Sequence, residues 1–165
     1  MTHLSVQNLV TQLAGELLKN HWRLSTAESC TGGLVAAAIT SLSGSSDWFE
    51  RGYVTYSNAA KINDIQVPAA LIEAHGAVSE EVAQAMAIGA KKSSGSNISL
   101  AITGIAGPAG GTSNKPVGTV CFAWSLPNEL TLTELKRFDG DRSAIREQSV
   151  NHSLHHLIHL LNNNF

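Results

Sequence analysis

The sequence is poor in charged residues and in cysteines, and each shortage excludes a class of protein. Only 15% of the residues are charged and the formal net charge is −2, which argues against the basic surface that nucleic-acid-binding proteins use. The two cysteines, Cys30 and Cys121, are too few for a disulfide-built scaffold. They can in principle pair with each other, but two reduced thiols are the commoner outcome in a cytosolic protein.

Long apolar runs and targeting signals are also missing. No apolar stretch approaches the length of a membrane span, and residues 1–5 have neither the basic region nor the apolar run of a secretory signal. We therefore expect a cytoplasmic protein with neither a nucleic-acid nor a membrane partner. A chain of 165 residues buries roughly two-thirds of its unfolded surface, so we expect residues 1–165 to form a single domain.

Helical and strand-like patterns alternate along the chain, which is typical of an α/β fold. The short connection at 127–129 predicts an antiparallel hairpin, so the sheet should be mixed, with helices on both faces. Predicted helices cover 6–17 and 32–40, a segment capped by Asn58 that ends before Pro68, and segments that begin at Ser79 and Asp141; predicted strands cover 24–27, 52–56, 98–103, 117–125 and 130–138.

The segment 23–33 combines a short strand, a turn with two nucleophile-capable side chains and a glycine-opened helix. This order places Ser29 and Cys30 at the rim of a sheet and directs backbone N–H groups toward a bound molecule. Several unrelated hydrolases build an acyl-transfer site in this way. The alternative is that Ser29 and Thr31 only cap the helix that follows.

Two glycine-rich turns follow two predicted strands, one after Glu28 and one, at 104–111, after Thr103. Such turns gather at the carboxyl edge of an open α/β sheet and line one crevice. Neither turn has the spacing of a nucleoside triphosphate or dinucleotide motif, but both can hold a phosphate or a carboxylate. The alternative is that the glycines only satisfy tight turns.

A serine nucleophile needs a base, and the histidines are poor candidates. The histidines of the last helix, His152, His155, His156 and His159, fall on the face opposite its apolar residues, so we expect them to be solvated and without the third ligand that a metal site needs. His75 precedes a glycine and has no obvious carboxylate orienter nearby in sequence; it could serve Cys30, but nothing in the sequence marks it for that role.

Lys61 is the better candidate for the base. It follows a predicted strand at the start of a helix and is flanked by alanines, Ile62 and aromatic residues. Burial there would lower the pKa of the amine and free it to accept a proton. An ordinary surface lysine is the alternative.

Seven runs of the sequence match the motifs of one protein family: 26–33, 44–49, 54–61, 76–80, 103–108, 115–120 and 140–142. They follow one another from about residue 24 to 146 without large gaps, which makes the resemblance specific. The runs closely resemble the CinA C-terminal domain family, and in particular its stand-alone members.

The resemblance implies a three-layer α/β/α fold with a mixed, mostly parallel sheet and a homo-oligomer, commonly a dimer. It also implies hydrolysis of the carboxamide of nicotinamide mononucleotide, a small-molecule nucleotide substrate, with no metal or other cofactor. The family's catalytic serine–lysine pair corresponds to Ser29 and Lys61.

A mechanism built on this pair suggests supporting roles for other residues. Tyr56 and Thr103 are candidates to orient the lysine or the carboxamide, and backbone N–H groups near 30–33 would stabilise an oxyanion. Arg142 offers a bidentate fork to the phosphate, or else it only pairs with Asp139. The predicted substrate-binding residues are Cys30, Thr31, Gly32, Gly33, Asn58, Gly104, Ile105, Ala106, Gly107 and Arg142.

Two other functions compete with this one. The same fold can carry a catalytically silent nucleotide-binding or regulatory module, although the presence of both Ser29 and Lys61 argues against it. A broader amidase or peptidase can use the same pair, but a glycine-lined anion site with Arg142 favours a phosphorylated small substrate.

Overall fold

The computed structural model describes residues 5–163. Helices and strands alternate at first, as the sequence pattern predicts; three consecutive helices, of which the one at Ala69–His75 was not predicted, and three consecutive strands then precede the last helix. In chain order the elements are α1 (Val6–Lys19), β1 (Leu24–Glu28), α2 (Leu34–Thr40), a 3₁₀ turn (Ser45–Asp47), β2 (Phe49–Val54), α3 (Asn58–Ile65), α4 (Ala69–His75), α5 (Glu80–Ser94), β3 (Ile98–Gly104), β4 (Thr119–Ser125), β5 (Thr131–Arg137) and α6 (Arg142–Asn162).

The five strands form one mixed sheet in the order β2-β1-β3-β4-β5. β1 pairs in parallel with both β2 and β3, whereas β4 is antiparallel to both β3 and β5. Four strands therefore run in one direction and only β4 runs against them. The predicted mixed, mostly parallel sheet and the predicted hairpin of β4 and β5 are confirmed.

Helices cover both faces of the sheet, which gives the three layers that the resemblance implies. On one face, α1, α2 and α6 pack against large strand residues such as Leu100, Phe122 and Trp124. On the other, α3, α4 and α5 pack against small ones such as Ala101 and Ala123. Small side chains let α5 approach the sheet closely, and most of the chain's apolar residues are buried in these two layers.

Gly89 shows why α5 carries small residues. A Cβ at this position would collide with the backbone carbonyl of Ile65 at the end of α3. The glycine therefore lets two helices of one layer touch at the backbone.

Of the three helix-capping residues predicted from the sequence, the structure confirms two. Ser79 accepts the Val82 N–H and caps α5, and Asp141 caps α6. The predicted cap by Asn58 is wrong, because Ser57 accepts the Ala60 N–H and Asn58 is the first residue of α3. Serine and asparagine cap equally well, so the sequence alone does not choose between neighbours.

Several element boundaries also differ from the prediction, and two of them lie beside Ser29 and Lys61. α2 begins at Leu34 rather than at residue 32, because Gly32 and Gly33 have φ values of 57° and 98° and form a left-handed turn. β2 covers Phe49–Val54 rather than 52–56, since the carbonyls of Thr55 and Tyr56 turn away to meet Lys61.

The histidines of α6 are only partly solvated. His155 and His159 are exposed as predicted, but His152 and His156 are half-buried between α6 and β5. Both lie beside Glu134 of the edge strand β5, which supplies the carboxylate neighbour that the helix sequence does not contain. Across residues 5–163, every helix is too short or too polar to cross a bilayer.

Candidate active site

Glu28, the last residue of β1, closes the start of α2. Its buried carboxylate accepts the N–H groups of Gly33, Val35 and Ala36 at 2.9–3.2 Å. The positive end of a helix favours such a negative charge, so this helix start is already occupied. The expectation that the glycine-opened helix presents free N–H groups to a ligand is therefore wrong for Gly33, and Gly32 donates its own N–H to the Ser29 carbonyl.

Ser29 and Lys61 come together at the carboxyl edge of the sheet, although 32 residues separate them. The Lys61 Nζ lies 3.1 Å from the Ser29 Oγ. Nζ also donates to the carbonyl of Thr55 at 3.1 Å and to that of Tyr56 at 3.3 Å. The turn after β2 and the first turn of α3 thus aim the amine at the hydroxyl.

Lys61 is only 1% exposed, whereas most lysines lie at the surface. None of the ion pairs within residues 5–163 includes it. Burial lowers the pKa of its ammonium group below the usual value of 10.5, because a low-polarity site disfavours the charged form. Burial therefore shifts this amine toward its neutral form, next to a serine hydroxyl that remains 8% exposed.

Cys30, the other nucleophile candidate, is set up differently. Its side chain is buried, and burial raises the pKa of its thiol to about 11, so the thiol stays protonated at neutral pH. A Cβ on Gly104 would approach the sulfur to 3.1 Å, which places the thiol against β3 rather than toward solvent. Cys30 and Cys121 are both free, which confirms the prediction of two reduced thiols.

The second glycine-rich loop starts where β3 ends and lies beside the first. Ile105 exchanges hydrogen bonds with the segment before β4, donating to Thr119 and accepting from Gly118. Ala106 is buried, and the Gly107 carbonyl accepts from Arg142 at 3.0 Å. The loop is thereby fixed on one side of the crevice.

Arg142 links the two sides of the crevice. Besides the Gly107 carbonyl, its guanidinium donates to the Tyr56 hydroxyl at 3.2 Å. The ion pair with Asp139 that was the alternative is not among those formed within residues 5–163. Since the side chain is exposed, Arg142 can still offer donors to a bound anion.

Arg146, one turn further along α6, is a site residue that the sequence did not indicate. It donates to the carbonyls of Cys30 and Thr31, at 3.0 and 3.1 Å. The only available signal was its i,i+4 spacing from Arg142, which places both side chains on one helix face.

Other predicted residues lie at the edges of this arrangement. The Thr103 hydroxyl donates to the Ala77 carbonyl at 2.8 Å and so fixes the segment before α5. Asn58 is exposed at the start of α3, and Thr31 is fully buried. His75, for which the sequence shows no obvious carboxylate orienter, has its Nδ1 3.4 Å from the Glu81 carboxylate.

A known protein family matches nearly the whole chain. Residues 6–161 match the CinA C-terminal domain. The chain belongs to the CinA C-terminal domain family. Its membership confirms the resemblance seen in the motifs.

Relatives in the CinA family align with nearly the whole of this chain. The nicotinamide-nucleotide amidohydrolase PncC of Pseudomonas putida is 48% identical, over 94% of this chain and 96% of that protein. The protein of the same name from Enterobacter agglomerans is 44% identical, over 93% and 94% of the two chains. The crystal structure of the competence damage-inducible protein A from Klebsiella pneumoniae superposes with a TM-score of 0.93 at 38% identity, over 96% of this chain and 98% of that one.

Proposed function

We propose that this CinA-family protein hydrolyses the carboxamide of nicotinamide mononucleotide to nicotinate mononucleotide and ammonia, as a step in pyridine nucleotide recycling. The observation that carries the proposal is the buried amine of Lys61, 3.1 Å from the Ser29 hydroxyl and in no ion pair within residues 5–163. The names of the two full-length relatives, both nicotinamide-nucleotide amidohydrolases, supply the substrate.

Lys61 acts as the base. A neutral amine has two N–H groups and one lone pair. The carbonyls of Thr55 and Tyr56 can accept both N–H groups, which leaves the lone pair for the Ser29 hydroxyl proton. As the proton moves to Nζ, the serine oxygen attacks the carboxamide carbon.

The same proton then completes the first half of the reaction. The tetrahedral intermediate collapses when the Lys61 ammonium protonates the departing nitrogen, which leaves as ammonia. An ester between Ser29 and the nicotinoyl group remains. Water then gives a proton to Lys61 and attacks the ester carbon, and Lys61 returns the proton to the Ser29 oxygen.

The developing oxyanion needs N–H donors that are not already in use. Since Gly32 and Gly33 donate within the loop, we assign this role to the N–H groups of Cys30 and Thr31. In a trans peptide the N–H points away from the carbonyl of the same unit. Arg146 holds the Cys30 carbonyl, so it orients the Thr31 N–H as a positioning residue.

The residues that would recognise the substrate, Arg142 and the 104–107 loop, lie on the other side of the crevice. Arg142 lies at the end of the 104–107 loop and beside Tyr56, where its fork can bind the phosphate. The nicotinamide ring then reaches toward Ser29. Within this scheme Tyr56 contributes its carbonyl to Lys61 and its hydroxyl to Arg142. Thr103 has a structural role, because its hydroxyl donates to the Ala77 carbonyl.

An ammonia-release assay tests the proposal, with the mononucleotide, its riboside and nicotinamide as substrates. We expect turnover of the mononucleotide and weaker turnover of the two compounds that lack the phosphate. Release of ammonia from none of the three would favour a silent binding module, and equal rates with all three would favour a broader amidase. The cytoplasmic location, the single domain and the homo-oligomer stay predictions.

A further inference from the structure

β5 and α6 meet in a cluster of one carboxylate and two imidazoles that the proposed reaction does not use. Glu134 lies on β5, and His152 and His156 lie one turn apart on α6. One ligand atom from each side chain can be chosen so that all three lie within 4.8 Å of one another. The Glu134 Oε2 atom is 2.7 Å from the His152 Nε2 and 3.8 Å from the His156 Nδ1.

The cluster is distant from the amidase crevice. β3 and β4 separate β5 from β1, which carries Ser29 at its end. With strands about 4.8 Å apart, the two sites are separated by roughly 14 Å across the sheet. Side chains at one site therefore do not contact the reacting groups at the other.

Neighbouring side chains hold the three groups in place. The His156 ring lies 4.3 Å from the Trp124 ring and the His152 ring lies 4.9 Å from the Phe122 ring, between centroids. Lys136 donates to Oε1 of Glu134 at 2.9 Å. The second carboxylate oxygen is thereby left facing both imidazoles.

We propose that Glu134, His152 and His156 bind a divalent transition metal ion of the zinc class, with water as the fourth ligand. Two imidazole nitrogens and one carboxylate oxygen are the donors that this class prefers. Metal–ligand bonds of 2.0–2.1 Å place tetrahedral ligand atoms about 3.3 Å apart. The observed separations of 2.7 and 3.8 Å lie on either side of this value, so small side-chain shifts suffice.

Binding has two direct consequences. The metal takes the place of the proton between His152 Nε2 and Glu134, and an imidazole that gives up this proton carries its ring proton on Nδ1 instead. It also cross-links the edge strand β5 to α6, which stabilises the folded chain. The ammonium of Lys136 opposes the charge of the ion and limits its affinity, while the side chains stay 20–30% exposed, which leaves a path for entry.

The same helix provides an internal control. His155 and His159 have the same i,i+4 spacing as His152 and His156, but both are exposed, and the His159 ring lies 6.2 Å from the His156 ring between centroids. Neither belongs to a group of three potential ligands among residues 5–163. A pair of this kind chelates weakly, whereas three converging ligands bind one ion firmly.

The experiment compares metal-stripped wild type with three variants of the full chain: Glu134→Gln, His152→Gln, and the control His155→Asn/His159→Asn. Zn²⁺ affinity is measured by competition with a chelator, and Co²⁺ coordination by visible absorption. We expect one ion per chain, a four-coordinate Co²⁺ spectrum, and a rise in Tm on the order of 5–10 °C at a free Zn²⁺ concentration about 100 times Kd.

The control should behave as wild type, while Glu134→Gln and His152→Gln should weaken binding on the order of 100-fold. Equal Zn²⁺ affinity in wild type and Glu134→Gln, or loss of binding in the control alone, would show adventitious chelation by histidine pairs and overturn the proposal. No binding by wild type would also overturn it. If the cluster variants do not fold, the persistence of four-coordinate Co²⁺ in the control still decides.

Discussion

At the scale of single residues, the chemistry depends on an uncharged lysine. Lys61 is buried and pairs with no carboxylate in the described part of the chain, and burial lowers the pKa of its ammonium group. The sequence identified Lys61 because apolar neighbours follow a strand, but the same pattern also fits a surface lysine. A buried lysine differs from a surface lysine here in its hydrogen bonds to the carbonyls of Thr55 and Tyr56. Such contacts with the backbone cannot be predicted from a pattern of residue types.

The first prediction concerns the dyad. Ser29→Ala and Lys61→Ala should each reduce kcat/KM by several orders of magnitude, because each supplies half of one proton relay. The double variant should lose no more than either single one, as for groups that act as a unit. Ammonia release measures the rates, and circular dichroism checks that the variants fold.

Cys30→Ala is the matched control for the dyad, since it removes the adjacent nucleophile candidate. The variant should keep most of the activity because its thiol is buried and protonated. Near-normal turnover by Ser29→Ala together with inactivity of Cys30→Ala would transfer the nucleophile to the cysteine.

The second prediction concerns pH. Only the neutral amine of Lys61 accepts a proton, so kcat/KM should rise as the pH increases through the lysine pKa and then level off. Because burial lowers that pKa, the plateau should begin below the usual lysine value of 10.5. The profile of Cys30→Ala should be the same, whereas a rise near pH 11 that disappears in this variant would point to the thiol.

At the scale of elements, the start of α6 brings two arginines to the crevice for two purposes. Arg142 contacts the Gly107 carbonyl and Tyr56 hydroxyl, and Arg146 contacts the carbonyls beside Ser29. Helix starts were largely predictable because capping residues mark them. The partners of Glu28 and Arg146 were not, because each contact joins segments whose approach depends on the packing of whole elements.

The third prediction separates the two arginines. Arg142→Ala should raise KM for the mononucleotide roughly ten- to a hundredfold, as expected for loss of a charge-assisted contact of about 1.5–3 kcal/mol, with little change in kcat. Discrimination against the riboside should shrink by a similar factor. Arg146→Ala should instead lower kcat by about tenfold with a nearly unchanged KM, because it orients a donor used in the transition state.

Arg137→Ala, at the exposed end of β5, serves as the control for a lost surface charge and should change neither constant. Loss of kcat with unchanged KM in Arg142→Ala would mean that the phosphate is bound elsewhere. An Arg146→Ala variant with raised KM alone would assign that arginine to binding.

At the scale of the whole molecule, the alternation of elements predicted the layers and the mixed sheet but not the strand order. A hairpin is visible in sequence because a short turn joins β4 to β5, whereas the place of β1 between β2 and β3 depends on long-range packing. The contact of Glu134 with the last helix also depends on long-range packing, so the sequence did not predict it.

The fourth prediction concerns the molecule as a catalyst. Prolonged chelation should leave the rate of ammonia release at 25 °C unchanged, because the serine–lysine relay supplies nucleophile, base and acid from side chains alone. Rates before and after chelation, with the secondary structure checked at both points, measure this. Inactivation that one divalent ion reverses would favour metal-assisted hydrolysis instead.

The two halves of the crevice come from different halves of the chain. Ser29 and Lys61 belong to the unit that runs from β1 to α3, whereas the 104–107 loop and Arg142 follow β3 and β5. Bond breaking and ligand choice are thus encoded in separate stretches of the gene. Chimeras that exchange the segment from β3 onward between relatives should change which amide is accepted while keeping the same reaction, so new specificities can arise by recombination without rebuilding the catalyst.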